Sequence, residues 1–238
     1  MSRLITVSSG SVGNSYILEC ENEILLLELG VSWKEIKKAL NFDLSKIVGC
    51  VCSHGHIDHA KSIKDALKAG LEVYSTKEVQ SLHSRVKVPK MGEKTPIGGF
   101  CIQPLLVPHS CECYSFIITH EEFGKLLFFT DCSSFKYKVK ECNHILAECN
   151  YSEEILIDKM CDNSIGRSLY QHHHELEDCV NTLKVNFSAA TQNILLIHLS
   201  DGNSDEKAFV QRVKDELGFD RVDAARPNQI INLEREEF

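Results

Sequence analysis

Short apolar runs separated by turn residues predict strands through the first half of the chain. They comprise residues 3–7, 15–20, 24–29, 47–53, 100–107, 114–119 and 125–130, with a further run at 194–198. Runs of this length that are bounded by polar residues are typical of buried or half-buried strands. Strands are therefore expected to dominate the first 130 residues.

Apolar residues recur at helical spacing in three stretches, residues 57–69, 175–187 and 204–217. The later helices alternate with strands, and this order favours an α/β fold with sheet inside and helices outside. No linker rich in Pro, Gly or Ser and no internal repeat divides the 238 residues. We therefore expect residues 1–238 to form a single domain.

The composition is that of an ordinary globular protein, with 43% hydrophobic and 25% charged residues. No apolar run approaches the roughly 18 residues of a membrane helix, so no membrane partner is expected. The first residues lack a signal-peptide pattern, and eleven scattered cysteines fit a reducing compartment, which favours a cytoplasmic location. A formal charge of −8 argues against an extended nucleic-acid track but not against a small anionic substrate held by metal.

Ionisable side chains are concentrated in residues 49–60, GCVCSHGHIDHA, directly after an apolar strand. His54 and His56, two residues apart at a strand end, can project the same way and share one metal ion. Asp58 and His59 then begin the following helix and turn toward a second position. Imidazole and carboxylate ligands together suit zinc, manganese or iron. A lone His-x-His pair is a weak signal, whereas the complete HxHxDH motif is a strong one.

Three further candidate ligands end predicted strands later in the chain. They are His109 in LLVPHSCECYSF, Asp131 in KLLFFTDC and His198 in ILLIHLSDGN. An acidic residue that closes an apolar strand is well placed to bridge two cations, and this role is given to Asp131. The other histidines without a comparable setting are interpreted as structural: His83, His120, His144 and His172.

The HxHxDH motif with the later His, Asp and His resembles the metallo-β-lactamase fold, a four-layer αβ/βα sandwich with a binuclear metal site between its two sheets. The resemblance covers nearly the whole chain. It implies that one ion is held by His54, His56 and His109, the other by Asp58, His59 and His198, with Asp131 bridging them. It also implies two divalent ions, with Zn²⁺ expected first and Mn²⁺ as the alternative.

Four finer motifs resemble particular branches of this superfamily: SSGSVGNS (8–15), AECNY (147–151), HHHELEDCV (172–180) and HLSDGN (198–203). They are similar to the short YycJ-like, or WalJ-like, nucleases and to the phage anti-Pycsar phosphodiesterases that destroy cyclic pyrimidine nucleotides. They are more distantly similar to RNase Z and to the PhnP-type cyclic phosphodiesterases. The implied activity is therefore phosphodiester hydrolysis.

Two substrates are consistent with that chemistry. A cyclic mononucleotide is ranked first, because the basic residues are dispersed and no inserted domain would clamp a strand; single-stranded DNA, cut by an exonuclease, is the alternative. A glyoxalase-II-like thioesterase and a metal-binding scaffold without turnover are less favoured. If the chain is phage-encoded, it would act in the host cytosol against a second messenger of antiphage defence. Relatives often dimerise, so a homodimer is left open.

The same resemblance suggests which residues act on the substrate. His173, followed by Glu177 and Asp178, fits a family pattern like H-x-S-x-E-D, and His174 is the alternative. The histidine would hold a phosphate oxygen or protonate the leaving alkoxide, while Asp58 would also steer the proton of the attacking water.

Supporting roles are suggested for four further residues. Glu148 would orient the substrate-binding histidine. Glu28 stands where relatives usually have Asp and would hydrogen-bond a metal ligand, with an extra methylene that can alter metal geometry or preference. Ser11 and Asn14, in a glycine-rich stretch that alone could be a phosphate loop or a tight turn, are candidate substrate contacts beside the metals.

Overall fold

The computed structural model describes residues 1–158 and 172–235. The strands in chain order are β1 (Arg3–Ser8), β2 (Ser15–Glu19), β3 (Ile24–Leu27), β4 (Ile47–Val51), β5 (Val73–Tyr74), β6 (Thr95–Ile97), β7 (Phe100–Val107), β8 (Cys113–His120), β9 (Gly124–Phe129), β10 (His144–Glu148), β11 (Asn193–Ile197), β12 (Val222–Ala224) and β13 (Ile230–Asn232). The helices are α1 (Trp33–Ala39), α2 (Ile57–Ala60), α3 (Ile63–Lys68), α4 (Lys77–Leu82), α5 (Glu153–Asp158), α6 (Leu176–Asn186) and α7 (Glu206–Leu217).

The strands form two mixed sheets. The first has the order β13-β1-β2-β3-β4-β5 and the second the order β12-β11-β10-β9-β8-β7-β6. Strands β3, β4 and β5 pair in parallel, as do β9, β10, β11 and β12, while the remaining pairs are antiparallel. The carboxyl ends of parallel strands meet at one edge of a sheet, which is where ligands usually bind in open α/β sheets.

Alternating side chains place three apolar layers around these sheets. In β9, Leu126 and Phe128 enter the core between the sheets, whereas Leu127 and Phe129 pack on the outer side with α6 and α7. In β3, Leu25 enters the central core, and its neighbours enter a third cluster together with residues of α1, α3 and α4. This period of two, with apolar residues at every position, is why these strands read as continuous apolar runs. The expected four-layer sandwich is confirmed.

One predicted helix is wrong in detail. Residues 57–69 form two short helices, α2 and α3, rather than one. The interruption lies at Ser62, whose backbone N–H donates to Leu29 O at 2.9 Å and whose hydroxyl donates to Val31 O. These bonds tie the chain to the loop after β3, and the backbone amide of Ser62 is thereby taken out of a continuous helical ladder. The other two predicted helices agree within two residues, with Glu175 and Asp205 as their N-caps.

None of the helices in the described part of the chain is long and apolar enough to cross a membrane. The ten cysteines within the described ranges are free thiols, and eight of them are buried. Buried thiols of this kind pack as small apolar side chains, as the sequence predicted.

Candidate metal centre

Three residues of the expected site follow strands in an unusual backbone conformation. Glu28 after β3, Asp131 after β9 and His198 after β11 have φ values of 64°, 47° and 55°. Non-glycine residues in this left-handed region cost on the order of 1–3 kcal/mol and persist only where surrounding contacts hold them. All three side chains are almost fully buried. The sharp turns therefore place polar side chains at the end of the sandwich where the parallel strands finish.

His54, His56 and His109 bring three imidazoles together. His109 Nε2 lies 3.2 Å from His56 Nδ1. The ring centroid of His54 lies 4.5 Å from that of His56 and 4.8 Å from that of His109. His54 is fully buried, and its Nε2 has no hydrogen-bond partner among the described residues. These are the three ligands that the sequence analysis assigned to one ion.

Asp58, His59 and His198, the ligands expected for the other ion, also converge. Asp58 Oδ2 lies 3.4 Å from His59 Nε2 and 3.4 Å from His198 Nε2. The two imidazole rings are stacked with centroids 5.4 Å apart.

Asp131 lies between the two histidine groups, with one carboxylate oxygen toward each. Its Oδ1 is 3.1 Å from His59 Nε2 and 3.6 Å from His198 Nε2. Its Oδ2 is 3.7 Å from both His54 Nε2 and His109 Nε2. A carboxylate in this position can give one oxygen to each of two cations, which is the bridging arrangement expected for Asp131.

In the first group, the histidine nitrogens that face away from the centre have partners. Ser53 Oγ lies 2.9 Å from His54 Nδ1. The backbone oxygen of His172 lies 3.1 Å from His109 Nδ1, which donates to it. Such contacts fix the tautomer and the ring orientation, and they leave the Nε2 lone pairs directed inward. His172, interpreted from the sequence as structural, thus supports the site through its backbone.

Glu28 supports the second group in the same way. It is fully buried; its Oε2 lies 3.3 Å from His59 Nδ1 and its Oε1 accepts from the backbone N–H of Ser53 at 3.0 Å. The glutamate therefore contacts one of the histidines expected to bind metal.

The electrostatics of the cluster separate two kinds of histidine. Burial alone would raise the pKa of Asp131, but the imidazoles of His198 and His59 hold it well below its usual range. Burial opposes a charge on His59, but the Asp131 carboxylate raises the pKa of that ring well above its usual value. Burial lowers the pKa of His54, and it lowers the pKa of His109 to about 4. His54 and His109 are therefore neutral at pH 7, with lone pairs available to a cation.

His173 lies beside the second group and is held by Glu148. Glu148 is fully buried; its Oε1 lies 2.8 Å from His173 Nδ1, and its Oε2 accepts from the backbone N–H of Cys132 at 2.8 Å. The His173 ring stacks on His198 with centroids 5.3 Å apart. Burial opposes protonation of His173, but the Glu148 carboxylate outweighs it and raises the pKa to about 9. A protonated imidazole therefore faces the candidate site.

His173 lies three residues before the next helix rather than at its start. Helix α6 begins at Leu176, and its N-cap is Glu175, whose carboxylate accepts from the backbone N–H groups of Glu177 and Asp178. Glu175 thus occupies the serine position of the family pattern and performs the capping that a serine would perform.

His174, the alternative to His173, faces away from the ligand cluster. It is 1% exposed, its Nδ1 donates to Cys132 O at 3.0 Å, and its Nε2 lies 3.0 Å from Thr182 Oγ1. Both ring nitrogens are therefore engaged within the protein, which leaves none for a substrate. The geometry favours His173, and a substrate contact by His174 is withdrawn.

Asn14 is not positioned to contact a substrate either. It is fully buried, its Oδ1 accepts from Gly10 N at 2.9 Å, and its Nδ2 lies 3.2 Å from His59 Nε2. Its backbone N–H donates to Asp58 O at 2.7 Å. Asn14 therefore holds the glycine-rich loop against the metal-ligand loop, which corrects its expected role. Ser11 is exposed on that loop, and its contact with a substrate stays a prediction.

Two glycines let these loops approach each other. A Cβ on Gly30 would lie 1.7 Å from Asp58 O, and a Cβ on Gly13 would lie 2.5 Å from Gly30 O. Gly13 also has a φ of 147°, a conformation that other residues rarely adopt. The glycine-rich stretch is therefore required for close packing, which accounts for it without a phosphate-binding loop.

Sequence reasoning missed three residues of the site. Asn150 Nδ2 donates to His198 O at 2.7 Å, and Ser53 contacts His54 as described above. Cys111 joins the first group: one donor atom from each of His54, His56, His109 and Cys111 lies within 4.8 Å of the others. The only signal for Cys111 was its position two residues after His109, and cysteines are frequent in this chain.

The cluster fits divalent cations. The inner nitrogens of His109 and His56 face each other at 3.2 Å, and the buried Nε2 of His54 is unpaired within the described structure. A buried nitrogen without a partner is unfavourable unless something else binds it. Neutral imidazoles and carboxylates are the ligands that zinc, manganese and iron accept.

Both the sequence and the fold of this chain are similar to those of known proteins. Residues 9–81 match the metallo-beta-lactamase superfamily. The crystal structure of YhfI from Bacillus subtilis, a metallo-beta-lactamase fold protein, superposes with a TM-score of 0.75 over 98% of this chain and 100% of that chain, at 17% identity. The chain has the metallo-β-lactamase fold. The resemblance predicted from the HxHxDH motif is confirmed.

Other similar proteins indicate the class of chemistry. The exodeoxyribonuclease WalJ of Streptococcus pneumoniae (strain D39) is 24% identical over 219 residues, covering 83% of this chain and 81% of that protein. A diphosphatase of the PhnP family superposes with a TM-score of 0.69 at 14% identity, covering 99% of this chain and 100% of that one. Human tRNase Z, short form, superposes equally well (0.69, 14%), covering 97% and 99%. These findings support the expected class, a metal-dependent hydrolase.

Proposed function

We propose that the chain is a binuclear-metal phosphodiesterase whose ions are held by His54, His56 and His109 on one side and by Asp58, His59 and His198 on the other. The observation that carries the proposal is the position of Asp131, whose two carboxylate oxygens point to opposite histidine groups. Two divalent ions bound there make water nucleophilic at neutral pH and offset the charge of a phosphate.

The protein groups around the site supply the remaining chemistry. His173 is held by Glu148 and carries a proton at neutral pH, so it can bind a phosphate oxygen and protonate the leaving alkoxide. Asp58, whose side chain is 21% exposed, is more accessible than His59 and Asp131 and can direct the proton of the attacking water. Glu28 and Ser53 fix the rings of His59 and His54, which keeps the reacting groups aligned.

A cyclic mononucleotide is our first proposed substrate. In one of the two basic patches of the chain, residues 84–90, two of the three basic residues form ion pairs, Lys87 with Glu72 and Lys90 with Glu93. A strand of nucleic acid gains its affinity from unpaired Lys and Arg, so this patch contributes little to binding one. A compact ligand that depends on the metals and His173 is more consistent with such a surface.

Single-stranded DNA is the second candidate, and two observations favour it. The similarity to the WalJ exodeoxyribonuclease extends over 83% of this chain. The other basic patch, residues 136–140, exposes Lys136, Lys138 and Lys140 together with Tyr137, a combination suited to phosphates and bases.

A panel of substrates with zinc or manganese tests the proposal. Cyclic CMP, UMP, AMP and GMP, a single-stranded DNA oligonucleotide, bis(p-nitrophenyl) phosphate and S-lactoylglutathione would be compared. We expect hydrolysis of the phosphodiesters and none of the thioester. Turnover of S-lactoylglutathione alone would reject the proposal in favour of a thioesterase.

A charge-reversal variant separates the two phosphodiester substrates. Lys136→Glu combined with Lys138→Glu should leave cyclic-nucleotide hydrolysis within about twofold, because a mononucleotide does not need an extended track. The same variant should raise the KM for DNA by at least about tenfold if DNA is the substrate. Arg85→Glu, in the other basic stretch, is the matched control.

Location and assembly complete the proposal. We place the enzyme in the cytoplasm, which the free buried cysteines support. A homodimer remains a prediction that light scattering of the zinc-loaded protein would test.

A further inference from the structure

We propose that Ser9 and Tyr16 are positioning residues for His198, a ligand of the second ion. The inference rests on the proposed metal centre and adds the contacts that keep one half of it aligned. It also gives a role to Ser9, a residue of the glycine-rich stretch 8–15 that the proposed function does not use.

His198 depends on its surroundings because of its backbone conformation. Its φ of 55° lies in the left-handed region, which a histidine adopts only where neighbouring contacts hold it. The residue is 2% exposed, so its backbone groups need partners within the protein. The backbone N–H donates to Ser9 Oγ at 2.9 Å, and the backbone oxygen accepts from Asn150 Nδ2 at 2.7 Å. Side chains from two distant segments therefore hold both polar groups of this turn.

The contact with Ser9 joins the two sheets at the site. Ser9 follows β1 in the first sheet, and His198 follows β11 in the second. Asp58 also comes from the first sheet, in the segment after β4, and its Oδ2 lies 3.4 Å from His198 Nε2. The distance between these two ligand atoms depends on how the ends of the sheets are held together. Ser9 provides a direct bond between those ends.

A β-bulge precedes Ser9. The register between β1 and β2 shifts by one residue between Thr6 and Ser8. A bulge bends its strand and changes the direction of nearby side chains, and bulges are frequent beside active sites. Directly beyond this one, Ser9 Oγ lies 2.8 Å from Tyr16 Oη.

Tyr16 holds the Ser9 hydroxyl from the core. The Tyr16 side chain is fully buried between the sheets, and its ring packs edge-on against Phe128 with centroids 6.1 Å apart. A buried phenol needs a polar partner. Ser9 Oγ at 2.8 Å is the nearer one, since Asn14 Oδ1 lies 3.4 Å away. The Ser9 hydroxyl therefore lies between a fixed ring and the His198 N–H, and its rotation would break both bonds.

Zinc binding by variants that lack one hydroxyl is the test. Wild type, Ser9→Ala and Tyr16→Phe would be titrated with zinc against a competing chelator. Ser9→Ala should weaken one ion at least about tenfold, since loss of an outer contact to a metal ligand costs about 10–100-fold. The other ion should stay within about twofold, because its ligands do not contact Ser9. Tyr16→Phe should weaken the same ion about three- to tenfold, the usual net contribution of one hydrogen bond.

Each variant has a matched control. For Ser9→Ala it is Thr191→Val, because Thr191 Oγ1 likewise accepts from a backbone N–H, but at the opposite end of β11. For Tyr16→Phe it is Tyr74→Phe, because Tyr74 belongs to the same core cluster and donates its hydroxyl to a surface glutamate at 2.8 Å. Both controls should reduce stability and leave both zinc affinities within about twofold.

NMR spectra of the histidine ring nitrogens identify the weakened ion. At a zinc concentration that just fills both groups of wild type, Ser9→Ala should keep metal-bound shifts at His54 and His109 and lose them at His198. A double variant tests whether Tyr16 acts through Ser9. Tyr16→Phe should change zinc affinity by less than about twofold when Ser9→Ala is already present, because residues that act through one contact are not additive.

The outcomes separate this inference from the function on which it rests. Two ions bound equally well by wild type and Ser9→Ala would overturn the positioning role while the metal centre stands. Equal weakening of both ions, or the same loss in Thr191→Val, would also overturn it, because Ser9 would then contribute only to overall stability. Additive effects of Ser9→Ala and Tyr16→Phe would overturn the role of Tyr16. No zinc binding by wild type would reject the metal centre itself.

Discussion

Histidine, carboxylate and thiol side chains meet at both ends of the sandwich, and the two clusters differ in how their hydrogen bonds are completed. At the end remote from the metal centre, Cys20 Sγ lies 3.3 Å from His120 Nδ1 and His120 Nε2 lies 2.9 Å from Glu23 Oε1. The backbone N–H of Glu122 also donates to His120 Nδ1 at 3.2 Å. Both ring nitrogens of His120 are thus used within the protein.

At the metal end the outer nitrogens of His54 and His109 have partners within the protein, whereas the inner nitrogen of His54 has none among the described residues. His109 Nε2 faces His56 Nδ1. The same residue types therefore serve two purposes. Donor atoms that are paired with each other stabilise the fold, whereas donor atoms that converge on a common point mark a site for ions.

The largest expected effect that tests this contrast comes from removing the Asp131 carboxylate, which faces both histidine groups. Asp131→Asn should lower phosphodiester hydrolysis at least about a thousandfold, or about 4 kcal/mol in the barrier, because one bridging oxygen is replaced by an amide nitrogen. Asparagine tolerates the left-handed backbone at this position, so the fold should persist. Bound metal, measured by mass spectrometry, should fall below two ions per chain.

His120→Asn at the other end is the matched control. It should keep the rate within about twofold and the full metal content, because His120 has its partners within the protein. A loss of metal comparable with that of Asp131→Asn would break the distinction between the two ends.

The second largest expected effect distinguishes the role of the protonated His173 in hydrolysis from that of the metal ions. His173→Gln should reduce hydrolysis of an alkoxide-leaving substrate by about 10²–10⁴-fold, the usual contribution of a general acid. The loss for bis(p-nitrophenyl) phosphate should be much smaller, since p-nitrophenolate leaves without a proton. Steady-state rates on both substrates check this. Equal losses on the two substrates would show that His173 acts only in binding.

The pH dependence of stability includes a contribution from His144 at the remote end. Burial of His144, which bonds to Leu233 O, lowers its pKa to about 4, below the value near 6.5 of an unfolded histidine. The unfolded chain therefore binds this proton first. The stabilisation from neutral His144 is complete above pH 6.5 and is lost as the pH falls toward 4, by up to about 1.4 kcal/mol per pH unit.

Denaturant unfolding of the chelated protein and of a His144→Gln variant would measure this slope. The variant should unfold more readily at pH 7 and should show a shallower decline of the unfolding free energy between pH 6.5 and 4. His83→Gln, on the surface between α4 and β6, should retain the wild-type slope. An unchanged slope in His144→Gln would assign the acid sensitivity to other groups.

The smallest effect tests whether the remote cluster binds an ion. Burial raises the pKa of the Cys20 thiol to about 12, so the sulfur stays protonated as a thiol at neutral pH. It therefore forms only a weak hydrogen bond. Cys20→Ala should cost about 1 kcal/mol of unfolding free energy through that bond and a small cavity. Zinc content should remain unchanged. A loss of one zinc ion per chain would make the remote cluster a third metal site.

The convergence of the candidate ligands was predictable because each of them either belongs to one contiguous motif or closes an apolar strand. His54, Asp131 and His198 all follow strands whose carboxyl ends meet, so strand order in the sequence was enough to bring them together. The runs that predict β1 to β4, β7 to β9 and β11 are long and apolar. Strands β5, β6, β12 and β13 contain only two or three residues, too few to show a period, and they were missed. The five-residue strand β10 was missed as well.

The direction of single side chains could not be read from the sequence. His173 and His174 are neighbours, yet one contacts Glu148 beside the site and the other contacts Thr182 beneath α6. Asn14, a polar residue in a glycine-rich stretch, was expected to contact a substrate, but the close approach of two glycine-containing loops buries it. These outcomes depend on packing between distant segments, which local patterns do not encode.

The left-handed turns at Glu28, Asp131 and His198 also bear on efforts to give this scaffold a new metal or a new reaction. A residue introduced at one of these positions must adopt the left-handed backbone conformation, whatever its chemistry. Asn, Asp and Gly adopt it with little strain, whereas the branched Cβ of Val, Ile and Thr would clash with the backbone and destabilise the loop. Redesign would therefore begin at His56 or Cys111, whose loops leave more room for exchange.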